Sequence, residues 1–142
     1  MSSHNKELLR IENRIAVVKE YAELWQRFFT YFSDSLAEKQ ITGDEEHEFN
    51  QIVSILALNQ FKFAEVTRDY FKDSPQIIAV LQECVSLGHL KSLPEANFAK
   101  LQVDWHALFI GMNKTLGKLL SLLPPRRLAE MQKSPPAAAQ PQ

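Results

Sequence analysis

The chain has 142 residues, of which 45% are hydrophobic and 23% charged. That is the length of one domain and the usage of a folded soluble chain, and it excludes wholesale disorder. Sixteen basic residues against seventeen acidic ones leave a net charge of −1, so no global basic field draws the chain to nucleic acid or anionic lipid. The single cysteine, Cys84, allows no intrachain disulfide, and the fold does not depend on an oxidising compartment.

The segment Met1 to Arg10 is polar and charged, unlike the apolar middle of a signal peptide. No run approaches the roughly 20 apolar residues that span a bilayer. The sequence therefore predicts a cytoplasmic protein with no membrane partner. Only four glycines occur, with no Asn-Gly or Asp-Gly hairpin signal, and the helical period dominates throughout.

The first predicted helix covers residues 5–38. Leu8, Ile11, Ile15, Val18, Ala22, Trp25, Phe29, Phe32 and Leu36 recur in threes and fours, a heptad seam about 50 Å long at 1.5 Å per residue. A second stripe, Val17, Tyr21, Leu24, Phe28 and Tyr31, lies about 110° away at 100° per residue. One seam between two helices does not need both stripes. Either this helix touches two neighbours of its own bundle, or the second stripe meets another protein chain, a copy of itself or a different one.

The second helix is predicted over 44–72. Thr42 and Glu45 have capping-box spacing and Asp44 competes as a cap. Residues 41–74 hold three basic and seven acidic side chains, and the acidic run Asp44, Glu45, Glu46 and Glu48 suits the positive end of a helix dipole. The seam runs Phe49, Ile52, Leu56, Asn59, Phe63, Val66 and Tyr70. No charge occurs between Glu48 and Lys62. With Leu58 and Phe61 off the seam, the helix is apolar nearly all round and calls for burial on several sides or by a second chain. Asn59, at a seam position, is expected to fix register.

The third helix is predicted over 75–87, with Ser74 as cap and Pro75 at the first position; either Gly88 ends it in the left-handed conformation or the helix continues to Leu93, since one internal glycine costs only about 1 kcal/mol. The fourth is predicted over 94–123, opened by Ser92 to Glu95 and closed by Pro124 and Pro125. Its seam is Phe98, Leu101, Trp105, Leu108, Met112, Thr115, Leu119 and Leu122. Residues 126–142 turn rich in Pro, Ala and Gln and read as a flexible tail, with one helical turn at Leu128 and Met131.

Short connections favour antiparallel neighbours, so the expected fold is an all-α, up-down bundle of three long helices and one shorter helix over residues 1–125. The third helix falls short of its neighbours, which leaves room for a groove, an interface or a cavity.

The sequence points away from catalysis. No Glu-x-x-His pair occurs among His4, His47, His89 and His106, and Asp104 and His106 lie two apart, on nearly opposite helix faces. No metal site and no cofactor are predicted. Cys84 sits among Ile77, Leu81 and Val85, where a thiol behaves as a small hydrophobe. His106 reads as a structural histidine and His47 as a solvated one. No phosphate loop, nucleophile elbow or dinucleotide fingerprint is present. On the first helix, Arg10, Arg14, Lys19 and Arg27 are interleaved with glutamates, which is a solvated face and no nucleic-acid stripe.

The expected function is a non-catalytic interaction or oligomerisation module that uses Val17, Tyr21, Leu24, Phe28 and Tyr31. The alternative is a carrier of an apolar ligand in a cavity lined by Trp25, Phe29, Leu56, Phe63, Trp105 and Met112. A metal-dependent enzyme is the third and weakest reading.

Overall fold

The protein is described here by a computed structural model covering residues 3–37 and 40–133. It is an all-α helical bundle with no strand among the described residues. In chain order the helices are α1 (Ser3–Ala37), α2 (Gly43–Thr67), α3 (Ser74–Glu83), α4 (Leu87–Lys91), α5 (Glu95–Leu120) and α6 (Pro125–Lys133). The three long helices are those the periodicity predicts; α3 and α4 stand where one shorter helix is expected, and α6 where a single turn is expected. The residues from Ser134 onward, Glu38, and the side chains of Phe32 and Leu36 lie outside the described residues.

α1 is the central rod. Its two apolar stripes point to two neighbours, α2 and α5. Along the α2 side, Phe28 meets Phe49, Tyr21 meets Leu56 and Phe63, and Arg14 reaches Val66. Partner numbers rise along α2 as they fall along α1, so these two helices run in opposite directions. On the α5 side, Trp25 and Phe29 stack on Trp105. The interior is continuous: Trp25, Phe28, Phe49, Leu56, Phe63 and Met112 are completely buried. Each such side chain contributes about 1.5–3 kcal/mol relative to exposure.

α2 opens as the sequence predicts. Thr42 Oγ1 accepts from the Glu45 amide at 3.1 Å, and Glu45 Oε1 accepts from the Thr42 amide at 2.8 Å. Thr42, not Asp44, is the cap. α2 stops at Thr67, short of the predicted residue 72. The Thr67 hydroxyl donates to the Phe63 carbonyl at 2.7 Å, while the Thr67 carbonyl accepts from the amides of both Tyr70 and Phe71. This tight turn drives Phe71 inward, where its ring packs edge-on against Phe63 at 5.4 Å. The ring also covers Gly111: a Cβ there would lie 2.9 Å from Phe71. Burial of one aromatic side chain outweighs another turn of helix.

The predicted third helix is broken in two. α3 begins one residue early, so Ser74 is a buried helical residue and Asp73 occupies the cap position without a side-chain bond. The Ser74 carbonyl accepts from Gln60 Nε2 at 3.2 Å, which ties α3 to α2. α3 ends at Glu83 and Gly88 does not terminate it, since no glycine has a positive φ among the described residues. Gly88 instead belongs to α4. Ser86 Oγ accepts from the His89 amide at 3.0 Å, and the Glu46 carboxylate accepts from the amides of Leu87 and Gly88 at 2.8 and 2.9 Å. These acceptors restart the helix, because they satisfy amides that have no partner inside it.

α5 carries Leu101, Trp105, Leu108, Met112, Thr115 and Leu119 inward as predicted. Ser92 is not its cap: Pro94 holds that position without a side-chain bond, and the Ser92 hydroxyl donates to the His89 carbonyl. After α5, Pro124 and Pro125 do not simply close the fold. Pro125 takes the first position of α6, where a proline lacks nothing the helix needs. α6 extends the single predicted turn at Leu128 and Met131 into a nine-residue helix. Arg127 fastens it to α1 by a two-pronged ion pair with Glu12, with Nε–Oε2 and Nη2–Oε1 both 2.8 Å.

Candidate interaction surface

The second stripe of α1 divides between core and surface. Tyr21 stacks on Phe63 with ring centroids 4.4 Å apart and donates its hydroxyl to the Leu56 carbonyl at 2.7 Å. Burial holds its phenol above the ordinary range. Phe28 is completely buried, 5.6 Å from the Phe49 ring. These two residues belong to the interior, which corrects the expectation that the whole stripe meets a second chain. The reason is the central position of α1, whose opposite flanks must both be apolar. Val17, Leu24 and Tyr31 are half-buried. Burial and the adjacent Glu48 carboxylate push the Tyr31 phenol upward.

The six residues proposed to line a ligand cavity are packed against one another or into the core. Phe29 lies 4.1 Å from the Trp105 ring, and Trp105 lies 6.4 Å from Trp25. Leu56, Phe63 and Met112 have no exposed surface. An open cleft between α3 and α5 and two along α1 and α2 are lined by other residues. One, of about 580 Å³ between α3 and α5, has Val80 and Leu101 beside Gln76, Glu83 and Asn97, and the exposed Lys100–Asp104 pair at 2.8 Å. It lies alongside α3, and its mixed lining is not that of an apolar-ligand site.

The other two clefts adjoin along the outer groove between α1 and α2. A larger one of about 580 Å³ is bordered by Arg10, Arg14, Val17, Glu20, Lys62 and Val66. A smaller one of about 60 Å³ is bordered by Val17, Leu24, Ile55, Asn59 and Lys62. Val17 and Leu24 of the predicted stripe therefore do reach the surface. Asn59 is exposed and donates to the Ile55 carbonyl of its own helix at 2.9 Å. It is not the buried register-fixing residue its seam position implied; Gln60 makes the cross-helix bond instead.

The outward face of α2 continues from this groove. Leu58 is 82% exposed and Phe61 75% exposed, with Ile55 at 45%. The positions between Glu48 and Lys62 carry no charge, so the face is framed by charge but empty of it. On α5, Val103 and Ile110 are exposed singly. The sequence signal for the α2 face was the apolar character of Leu58 and Phe61 off the seam, which the stripe on α1 overshadowed.

The titratable residues are dispersed. Cys84 is buried, and its surroundings push the thiol up to about 12. His106, read from the sequence as a structural histidine, is exposed beside the Trp105 ring at 6.3 Å. His47 and His89 are exposed too. Among the described residues, no group of three or more His, Cys, Asp or Glu side chains is placed to hold a metal ion. No described helix is long and apolar enough to cross a membrane. No protein-family model matches the chain, and no curated protein or solved structure is detectably similar to it.

Proposed function

We propose that this chain is a non-catalytic helical module, acting in the cytoplasm, that binds another protein chain through the outward face of α2. The observation that carries this reading is the pair Leu58 and Phe61, 82% and 75% exposed on an uncharged stretch of helix. Covering two such side chains contributes about 1.5–3 kcal/mol each, enough to make them anchors of an interface. The groove beside them, floored by Val17, Leu24 and Ile55, offers a second helix somewhere to lie, in the manner of helix-in-groove recognition. A reducing compartment suits a chain with one buried thiol.

The test places a photo-crosslinking phenylalanine analogue at position 58, with position 113 on the exposed side of α5 as control. Crosslinks to protein from position 58, absent from position 113, are expected in cells producing the full chain. Equal yields from both positions, or none from position 58, would overturn the reading.

A further inference from the structure

α4 is too short to stand alone. Its five residues make little more than one turn, and isolated helices below about 12–15 residues are marginal in water. Its fastenings come from elsewhere. Leu87 and Leu90, three apart, have almost no exposed surface, while Gly88, His89 and Lys91 between and beside them are exposed. Its first three amides are received by side chains. Leu87 and Gly88 donate to the Glu46 carboxylate of α2 at 2.8 and 2.9 Å, and His89 donates to Ser86 Oγ at 3.0 Å. Non-helical residues 84–86 and 92–94 flank it on both sides. α4 packs on α1 and α2, whereas α3 before it packs on α2 and α5.

A short peptide sits on a receptor in this way, with apolar anchors in a slot and a carboxylate meeting the helix N-terminus. We infer that α4 is an internal plug, and that the slot it fills between α1 and α2 is a docking site for a segment of another protein with the same chemistry. That segment is a short helix with two leucines three apart and its first amides turned to Glu46. It displaces α4, which leaves on its two non-helical flanks. The long helices stay joined without it, through the paired Trp25 and Trp105 bonds and the Tyr21 bond to Leu56. A second copy gains nothing from such an exchange, because its own α4 is held at high local concentration in its own slot. An untethered segment of a different protein does gain. The inference does not use the Leu58 and Phe61 face, and either can fail without the other.

A plugged slot carries a penalty, since the apparent Kd of an incoming segment is its intrinsic Kd divided by the fraction of molecules with the slot open. The test uses the full chain and a fluorescent, N-acetylated peptide of residues 85–93, read by polarisation. Leu87→Ala with Leu90→Ala removes the anchors of the plug and leaves the slot unaltered. The peptide is expected to bind this unplugged chain at least about tenfold more tightly than the parent. A peptide carrying the same two alanines is expected to bind neither. Glu46→Ala in the unplugged chain is expected to weaken the peptide about tenfold, the size of a lost helix cap. In the parent, the amides of residues 87–91 are expected to exchange through an opening that leaves α1, α2 and α5 protected.

Equal peptide affinity for parent and unplugged chain would overturn the inference. So would absence of binding to an unplugged chain with intact helical circular dichroism, or exchange at residues 87–91 only on global unfolding. If the double variant does not fold, Leu90→Ala alone decides: binding about threefold tighter than to the parent supports the plug, and binding equal to the parent overturns it. Intact parent protein binding the unplugged chain as tightly as the peptide does would make a second copy the occupant and overturn the choice of partner.

Discussion

Trp25 and Trp105 grip each other's backbones. Trp25 Nε1 donates to the Trp105 carbonyl at 3.2 Å and Trp105 Nε1 donates to the Trp25 carbonyl at 3.1 Å, with the indole planes only 5° apart. Both residues are buried, so each N–H needs a partner and finds it across the helix interface. Because the acceptors are main-chain atoms, replacing one tryptophan leaves the other's hydrogen bond in place. Trp25→Phe and Trp105→Phe are each expected to cost about 1–3 kcal/mol in urea unfolding. The double variant should reveal a coupling of about 0.5–1.5 kcal/mol, attributable to the lost ring contact. Strict additivity would show that the rings do not assist each other.

Gly111 is small because Phe71 lies on it. A methyl group at that position meets the ring at 2.9 Å, and the ring also packs edge-on against Phe63. Gly111→Ala is expected to destabilise the protein by about 1–3 kcal/mol through overpacking, despite the better helix propensity of alanine. Adding Phe71→Leu should recover part of that loss. A stabilised Gly111→Ala protein would show that the turn after α2 yields freely.

Glu46 holds α4 from a distance. Its carboxylate serves the amides of Leu87 and Gly88 at 2.8 and 2.9 Å, which are charge-assisted bonds. Glu46→Ala is expected to cost about 1–2 kcal/mol, the size of a lost helix cap. Amide exchange should accelerate first at residues 87–91. Unchanged protection there would mean that Ser86 alone sustains the short helix.

The contrast between α3 and α4 shows where sequence reading succeeds. The seams of α1, α2 and α5 repeat over many turns, so their type and inward faces follow from spacing alone. The breaks do not, because they depend on partners remote in sequence. Nothing in the neighbourhood of Gly88 announces a carboxylate arriving from residue 46, and nothing near Thr67 announces the space that Gly111 leaves for Phe71. The stripe on α1 was legible as apolar, but whether a stripe meets its own bundle or another chain depends on how the rods are arranged around it. The exposed Leu58 and Phe61 were visible as apolar residues off the seam; their solvent exposure is a tertiary property.

Cys84 supplies a pH prediction. Burial, followed by the nearby Glu83 charge, pushes its thiol from 9.0 up to about 12. The folded state therefore retains a proton that the unfolded state releases. The associated stability is complete below about pH 9 and is lost as pH rises towards about 12. Unfolding midpoints are expected to fall across that window, less steeply in Cys84→Ala, and a thiol reagent at pH 8 should react only as the protein opens. Fast labelling of the native protein would contradict the buried placement.

Releasing α6 should leave the rest intact. Arg127→Ala removes both prongs on Glu12, and amide exchange over residues 127–131 is expected to quicken severalfold while the long helices keep their protection. A general loss of protection would make α6 part of the cooperative core.

The partners in the tryptophan clasp are 80 residues apart along the chain, and this separation has a temporal side. At about 5–20 residues per second, a ribosome needs about 4–16 s to make the stretch between them. α1 and α2 can pair early in that interval, but the flank of α1 bearing Trp25 and Phe29 waits uncovered until α5 emerges. The newborn chain thus passes through a stage with a sticky, half-finished hairpin, and protection by a chaperone is most valuable to it then.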